Sequence, residues 1–300
     1  MKNILFFGAT SKLGRYWLKT LSSKNNIYCN IHLNNKLPKI ENLNKVKFNL
    51  NNSDEIFAFC KKKNISLIIS CIGQPNIELC EINKKSAFNV NYLLPSQLCK
   101  ISKRLNVLFV HISTDMLFNG NYSKKYSENS KYSPINQYSK SKVKAERFIL
   151  KYKKSLIIRA NFFGYGEKKN KTITDKLIYE QQLNKKSFMW DDIFFTPIYI
   201  PNLVFFINLL IKEKSTGIFN ISSDEGISKF NFGLKIIKKV FKKENKIIAN
   251  NFNKKKFVNR PKNMCLSNKK IKKKFENYQN RLSLNYQIKS FFKDYKIINE

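Results

Sequence analysis

Tyr138 and Lys142, in the run Tyr138-Ser139-Lys140-Ser141-Lys142, are the residues whose types and spacing point most directly to chemistry. Four apart on a helix, they share one face, and both side chains can reach a single point. A phenol with its ordinary pKa of about 10 exchanges protons poorly at neutral pH. An ammonium beside it favours the phenolate and lowers that value. A hydroxyl pair, Ser113-Thr114, closes the apolar run Leu108–Ile112, and Tyr138 follows Thr114 by 24 residues. The hydroxyl of Thr114 can then bind the same substrate oxygen that Tyr138 protonates. In a lysine-rich chain the Tyr–Lys pair alone also fits an exposed helix face, so it needs a context.

A glycine loop supplies that context. Gly8-Ala9-Thr10-Ser11-Lys12-Leu13-Gly14 follows the compact apolar run Ile4–Phe7 and opens a segment of helical periodicity, Leu13–Leu21. Backbone N–H groups at a helix N-terminus attract a pyrophosphate, and glycine lets the chain turn sharply and approach it closely. In a GxxGxxG pattern the middle glycine is here Ser11. Taken alone, the loop also fits an ordinary strand-to-helix turn. Cofactor choice is read from an absence. Proteins preferring NADH place a carboxylate about 20 residues beyond the loop, against the ribose 2′-OH. No acidic residue precedes Glu41, whereas Lys12, Arg15, His32 and Lys36 offer donors and positive charge to a 2′-phosphate. NADPH is the expected cofactor, with NADH possible.

The elements that must position these groups alternate along the chain. Strand signals at Ile4–Phe7, Ile27–Leu33, Lys45–Leu50, Leu67–Cys71, Leu105–Ile112 and Leu156–Arg159 enclose helical segments. These are Leu13–Leu21, Asp54–Lys63, Ala87–Lys103 and Tyr138–Lys151. The rhythm predicts an α/β fold, a Rossmann doubly wound parallel sheet. A smaller, interleaved C-terminal lobe follows, with Tyr199-Ile200-Pro201 and Gly217–Ser222 as short extended pieces. A soft boundary divides a dinucleotide-binding domain, 1–160, from a substrate-binding lobe, 161–300.

Composition narrows the class. Fifty-seven Lys+Arg against 20 Asp+Glu give a net charge of +37, which by itself suggests nucleic acid. The excess is spread along the chain with abundant Asn, Ile and Phe. In the densest stretches, Lys235 to Lys246 and Asn268 to Phe275, lysines alternate with apolar residues at helical spacing. These read as solvated helix faces, so no nucleic-acid partner is expected, only a general attraction to anionic substrates. Six cysteines show no CxxC pair and no metal spacing with the two histidines, which fits reduced core thiols and a cytoplasmic protein. No apolar run approaches the roughly 18–20 residues of a membrane span.

Together these segments resemble the extended short-chain dehydrogenase/reductase superfamily, and within it the dTDP-4-dehydrorhamnose reductase-like branch. Ser70-Cys71-Ile72-Gly73 is similar to the stretch that passes the cofactor, and Ala87-Phe88-Asn89-Val90-Asn91 to the helix ending in a structural Asn. His111 through Gly120 resembles the "STDYVFDG" element, and Ser133 through Lys142, then Ala145-Glu146, the catalytic helix. Ile158-Arg159, Phe163-Gly164, Thr196-Pro197, Gly217 through Ile221 and Arg260-Pro261 follow as further landmarks. The resemblance implies reduction of the 4-keto group of a nucleotide-linked deoxy sugar, for surface polysaccharide synthesis. It assigns Thr114, Tyr138 and Lys142 to catalysis. To the cofactor it gives Gly8, Thr10, Ser11, Leu13, Gly14, Cys71, Ile72, Gly73, Asn91, Tyr138 and Lys142, beside the Lys12, His32 and Lys36 already read from charge. Asp115, Met116, Asn161 and Phe162 would meet the nucleotide-sugar substrate. A monomer or homodimer is expected.

The departures bear on substrate. Met116 stands where these reductases usually have Tyr, Phe162 where they often have Trp, and Asp192 through Pro197 lacks the Gln and Gly of a DQxGxP element. No acidic residue directly follows Gly14, so no metal is expected. An epimerase relative or a non-catalytic NAD(P)-binding subunit of the same fold remain alternatives. Dehydratases usually carry an acidic residue where Met116 follows Asp115.

Overall fold

The computed structural model describes residues 1–31, 37, 40–121, 123–164, 166, 172–241, 246–253 and 255–299. His32 and Lys36 lie outside the described residues. The chain divides into two compact units. The first comprises Met1–Ser113, Asn136–Ile158 and Ile207–Ile218, and the second Thr114–Ile135, Arg159–Phe206 and Phe219–Glu300.

In the first unit, β1 (Lys2–Phe7), α1 (Lys12–Ser22), β2 (Asn25–Asn30), β3 (Leu43–Val46), α2 (Ser53–Lys62) and β4 (Leu67–Ser70) follow in order. Then come α3 (Ile77–Ile82), α4 (Lys84–Phe88), a π-turn (Asn89–Leu93), α5 (Leu94–Leu105), β5 (Leu108–Ile112), α6 (Gln137–Ile149) and β6 (Ser155–Arg159). The strands stand in the order β6-β5-β4-β1-β2-β3, every neighbouring pair parallel. A parallel sheet covered by helices on both faces needs strands apolar throughout, and Leu67–Ser70 is buried at all four positions. One face carries Leu5, Phe7, Ile68, Phe109 and Ile157 against Leu98 and Ile101 of α5 and Ala145 and Ile149 of α6. Each fully buried side chain of this kind contributes about 1.5–3 kcal/mol. The strand order reverses between β1 and β4, which is where such sheets open a crevice for ligands.

The remaining elements are β7 (Asn161–Phe163), α7 (Ile173–Gln182), β8 (Ser187–Trp190), β9 (Phe194–Phe195), β10 (Pro197–Tyr199), α8 (Ile200–Lys212) and β11 (Gly217–Asn220). They continue with β12 (Ile227–Ser228), α9 (Lys229–Val240), β13 (Ile247–Asn250), α10 (Lys269–Lys274) and α11 (Leu284–Asn299). Strand β11 is the seventh strand of the main sheet, beside β6. The second unit has its own core, in which Phe163, Phe195, Phe232 and Phe291 meet Leu177, Ile236 and Leu284.

Several local expectations are corrected. Ile200 and Pro201 are not extended: they open α8, where a proline's missing N–H costs nothing. The third strand ends at Val46 instead of Leu50, and the Phe48 N–H is taken by the Asn30 side chain at 3.2 Å. The helix expected over Ala87–Lys103 is interrupted by the π-turn. Pro95 has no N–H to return to the carbonyl four residues back, and the Leu94 N–H reaches Asn89 O instead. Of the two lysine-rich stretches, Lys235–Val240 closes α9 and Lys269–Lys274 forms α10.

Asparagine carries much of the local geometry. Asn52, Asn76, Asn83 and Asn136 each cap a helix by accepting the N–H three residues on, a contribution of about 1 kcal/mol per cap.

Candidate active site

The loop after β1 is built for a close approach. Gly8 sits at φ +89°, and a Cβ there would lie 2.6 Å from the Cys71 carbonyl oxygen. A Cβ on Gly14 would lie 2.2 Å from the Gly8 carbonyl oxygen. Ser11, in place of a glycine, is the N-cap of α1: its hydroxyl accepts from Gly14 N–H at 3.0 Å and donates to Gly8 O at 2.8 Å. The serine thus ties the turn to the helix, and its hydroxyl is spent within the loop. Arg15 Nε donates to Thr10 O at 3.2 Å. Leu13 turns its side chain into the core, so only its backbone can face a phosphate. The first turn of α1 holds no acidic residue to oppose an anion.

Across the switch point, Cys71 N–H donates to Phe7 O at 2.9 Å, which brings the two loops together. The π-turn delivers Asn91, fully buried, to the same place. Its Oδ1 accepts from Gln74 N–H at 2.7 Å, and its amide donates to Gln74 O at 3.3 Å. Gly73 lies beside this pair: a Cβ there would come 3.4 Å from Asn91 Oδ1. Ile72 is half-buried against the first core.

Tyr138 lies in the first turn of α6, half-buried, with Lys142 one turn later. Asn136 caps the helix through Ser139 N–H at 2.8 Å, and Glu81 accepts from Gln137 N–H at 2.8 Å, so the turn carrying Tyr138 is held at both sides. Lys142 is buried. Its ammonium donates to Ile112 O at 2.8 Å and to His111 Nε2 at 3.0 Å. Burial lowers its pKa from 10.5 to about 8, against the pull of Glu146. His111, fully buried, is driven well below its ordinary value by burial and then by Lys142. A neutral imidazole that accepts at Nε2 carries its proton on Nδ1, which faces Ser70 Oγ at 3.3 Å. One turn beyond Lys142, Glu146 is buried and accepts a short hydrogen bond from Ser113 Oγ.

In the second unit, Thr114 and Asp115 are buried directly after β5. Thr114 Oγ1 accepts from Met116 N–H at 3.3 Å and donates to Asp115 Oδ1 at 3.3 Å. Asn161 donates to Asp115 Oδ2 at 2.7 Å. Burial raises the Asp115 pKa, while Asn161 and then Lys229 hold it down. Lys229 is itself lowered by burial, with Asp115 acting in the opposite sense, and its ammonium sits 4.1 Å from the centre of the Phe195 ring. Met116 is partly buried against the second core, and Phe162 pairs with Ile198 in the β7–β10 ribbon.

Three groups were missed from sequence. His111 opens the motif that runs to Gly120, and its residue type there points to no role. Glu146 carried a usable signal, four residues beyond Lys142 on the same helix. Lys229 carried none, being one lysine among many.

A parallel sheet in this order, with a glycine turn at its switch point and a Tyr-x-x-x-Lys helix after β5, defines the extended short-chain dehydrogenase/reductase class. The model of the RmlD substrate binding domain family matches residues 1–296, and the chain belongs to that family. A dTDP-4-dehydrorhamnose reductase from Aggregatibacter actinomycetemcomitans is 30% identical over 176 residues, covering 58% of this chain and 56% of that protein. In matches of this kind the chain spans only 54% to 64% of the relatives' own length. Among solved structures, a hypothetical dTDP-4-dehydrorhamnose reductase from Sulfolobus tokodaii is 26% identical. Its TM-score is 0.79, with 91% of this chain and 94% of that one covered. The dTDP-4-dehydrorhamnose reductase of Bacillus anthracis str. Ames, solved in complex with NADP, has a TM-score of 0.83 at 20% identity. That superposition covers 98% of this chain and 100% of the other. Among the described residues no helix is long and apolar enough to cross a membrane.

Proposed function

We propose that the protein reduces the 4-keto group of a nucleotide-linked deoxy sugar, of the dTDP-4-dehydrorhamnose kind, with NADPH, in the cytoplasm, for surface polysaccharide synthesis. The observation that carries this reading is the buried Lys142 one turn after Tyr138, pinned at the end of β5 within a unit that also holds the glycine loop. The relatives' names and the NADP of the Bacillus anthracis structure support the same choice.

The chain's own residues fit a dinucleotide. The turn at Gly8 and Gly14 has no room for a Cβ, and the positive end of α1 behind it favours a pyrophosphate. Gly8, Thr10, Ser11, Lys12, Leu13 and Gly14 would hold the phosphates, and Cys71, Ile72, Gly73 and Asn91 would line the path onward. Lys12, with His32 and Lys36, would meet a 2′-phosphate. When bound, the reduced nicotinamide supplies the hydride. Tyr138 gives a proton to the developing alkoxide, and Lys142 stabilises the phenolate left behind and binds the nicotinamide ribose. Thr114 hydrogen-bonds the carbonyl oxygen, while Asp115, Met116, Asn161 and Phe162 orient the sugar. On this reading residues 1–160 serve mainly the dinucleotide, apart from Thr114, Asp115 and Met116, and 161–300 mainly the substrate. The presence of both Tyr138 and Lys142 favours an enzyme over a non-catalytic subunit.

The test is NADPH oxidation at 340 nm against a panel of nucleotide 4-keto-6-deoxy sugars. Turnover of at least one of them is expected. Binding of NADPH without oxidation by any sugar in the panel would overturn the reductase reading and favour the non-catalytic one.

A further inference from the structure

We propose that His111 is a positioning residue for Lys142: as a neutral imidazole anchored on Ser70, it takes one ammonium hydrogen and fixes where the others point. The inference rests on the reading of Tyr138 and Lys142 as the catalytic pair.

The geometry begins with sheet register. Ser70 of β4 and His111 of β5 are Cα partners in the parallel ladder, so their side chains rise side by side on one face of the sheet. This is the face on which α6 packs, through Ala145 and Ile149 over Phe109 and Ile157. The imidazole lies nearly parallel to the Phe109 ring, 6.3 Å between centres, and has no exposure to water. Nδ1 meets Ser70 Oγ at 3.3 Å and Nε2 meets Lys142 Nζ at 3.0 Å. The Ile112 carbonyl takes a second ammonium hydrogen at 2.8 Å. An ammonium has three donors and no acceptor. With two directions fixed by β5, the third is set by geometry and cannot wander. A charged imidazole could not serve: two buried cations 3 Å apart repel, and His111 is held neutral by burial and by Lys142 itself.

The charged and titratable groups facing Lys142 come from each element around it. They are Glu146 from α6, His111 from β5 and Cys71 from the loop after β4, with Tyr138 one turn earlier on α6. Glu146 favours the ammonium, and the Cys71 thiol stays protonated because burial raises its pKa. A hydrogen bond accepted from the ammonium is charge-assisted and stabilises the charged form of Lys142 more than the neutral amine. Losing the Nε2 acceptor therefore lowers the pH at which Lys142 gives up its proton. The same pH marks the alkaline limit of activity, because a neutral amine no longer supports the phenolate of Tyr138.

The experiment uses the full chain labelled with [13Cε]lysine, in which the Lys142 resonance is assigned by its loss in Lys142→Arg. Its titration is followed in wild type, His111→Phe and His111→Gln. Phenylalanine preserves the ring stacking on Phe109 and removes the acceptor, whereas glutamine retains an acceptor near the Nε2 position. Lys142 is expected to titrate near pH 8 in wild type. In His111→Phe it should fall by about one pH unit or more, and in His111→Gln it should return most of the way. The alkaline limb of kcat/KM for NADPH oxidation should move by the same amount. A Lys142 titration within about 0.3 units of wild type in His111→Phe, with the thermal midpoint preserved, overturns the proposal. Should His111→Phe fail to fold, an unchanged titration in His111→Asn, whose shorter side chain cannot reach Nζ, overturns it equally. The catalytic reading fails separately, if Tyr138→Phe retains turnover.

Discussion

Lys142 should make the folded state pH-dependent in a direction opposite to that of an ordinary salt-bridged lysine. In an unfolded chain its pKa is 10.5, and in the folded protein burial brings it to about 8. Below pH 8 both states carry the proton, and the folded state bears the full cost of a buried ammonium. Between about 8 and 10.5 the unfolded chain binds more protons than the folded one, so stability rises with pH across that window. Above 10.5 the cost is gone. The difference between the two values corresponds to about 3 kcal/mol. The side chain is buried, so solvent screening removes little of it. Many other lysines and tyrosines titrate in the same range, and the measurement must isolate one. Urea unfolding of wild type and Lys142→Met at intervals from pH 7 to 10 does so, because the shared groups cancel in the difference. At pH 7 the variant relieves the burial cost but leaves His111 Nε2 and Ile112 O without a donor, at about 1–3 kcal/mol each. Its stability should therefore be close to that of wild type. As pH rises from 7 to 10, wild type should gain on the variant by about 2.5 kcal/mol. A difference that stays flat within about 0.5 kcal/mol over this range would refute the buried ammonium.

Other expectations can be checked directly. Tyr138→Phe should lose nearly all turnover while binding NADPH as wild type does, by fluorescence titration, and retention of more than about a tenth of kcat would remove Tyr138 as the proton donor. Gly14→Ala places a Cβ 2.2 Å from the Gly8 carbonyl. It should cost about 1–3 kcal/mol in urea unfolding and weaken NADPH at least tenfold, and an unaltered NADPH Kd would mean the loop does not hold the dinucleotide. With no acidic residue before Glu41, kcat/KM should favour NADPH over NADH, and neutralising Lys12 or Lys36 should reduce the preference. Equal or better kinetics with NADH in wild type would sink that reading.

What was legible from sequence was whatever rests on local pattern. Ile4–Phe7 turning into Gly8 announces a strand and a tight turn because both are written in adjacent residues, and the α/β alternation follows from period alone. The family follows from several such patterns in a fixed order. What was not legible depends on pairing across the sheet. Ser70 and His111 are 41 residues apart, and only the register of β4 on β5 makes them neighbours. The partners of Lys142 were hidden for the same reason, since Ile112 O and His111 belong to the strand under the helix. Lys229 was hidden by composition, because nothing in its residue type separates it from the solvated lysines. The π-turn was obscured by Pro95, which reads as compatible with a helix start while here it widens a helix already under way.

Composition also separates what the fold merely accommodates from what it demands. Among the described residues Lys142 is the most deeply buried lysine, and the lysines whose pKa burial lowers are Lys142, Lys229 and Lys270, so most of the charge excess stays in water and says little about a partner. The same division appears in the backbone. Asn42, Asn64, Asn106 and Asn184, together with Lys214, occupy left-handed positions at φ 48° to 59°, where asparagine is tolerated because its side chain bonds locally. Gly8, Gly120, Gly166 and Gly217 lie at φ 81° to 143°, beyond that range. At Gly8 and Gly120 a Cβ would also strike backbone at 2.6 Å and 2.5 Å. A chain with only nine glycines thus gives most of its left-handed turns to asparagine where a side chain fits. It keeps glycine at Gly8 and Gly120, where neither the angle nor the space admits one.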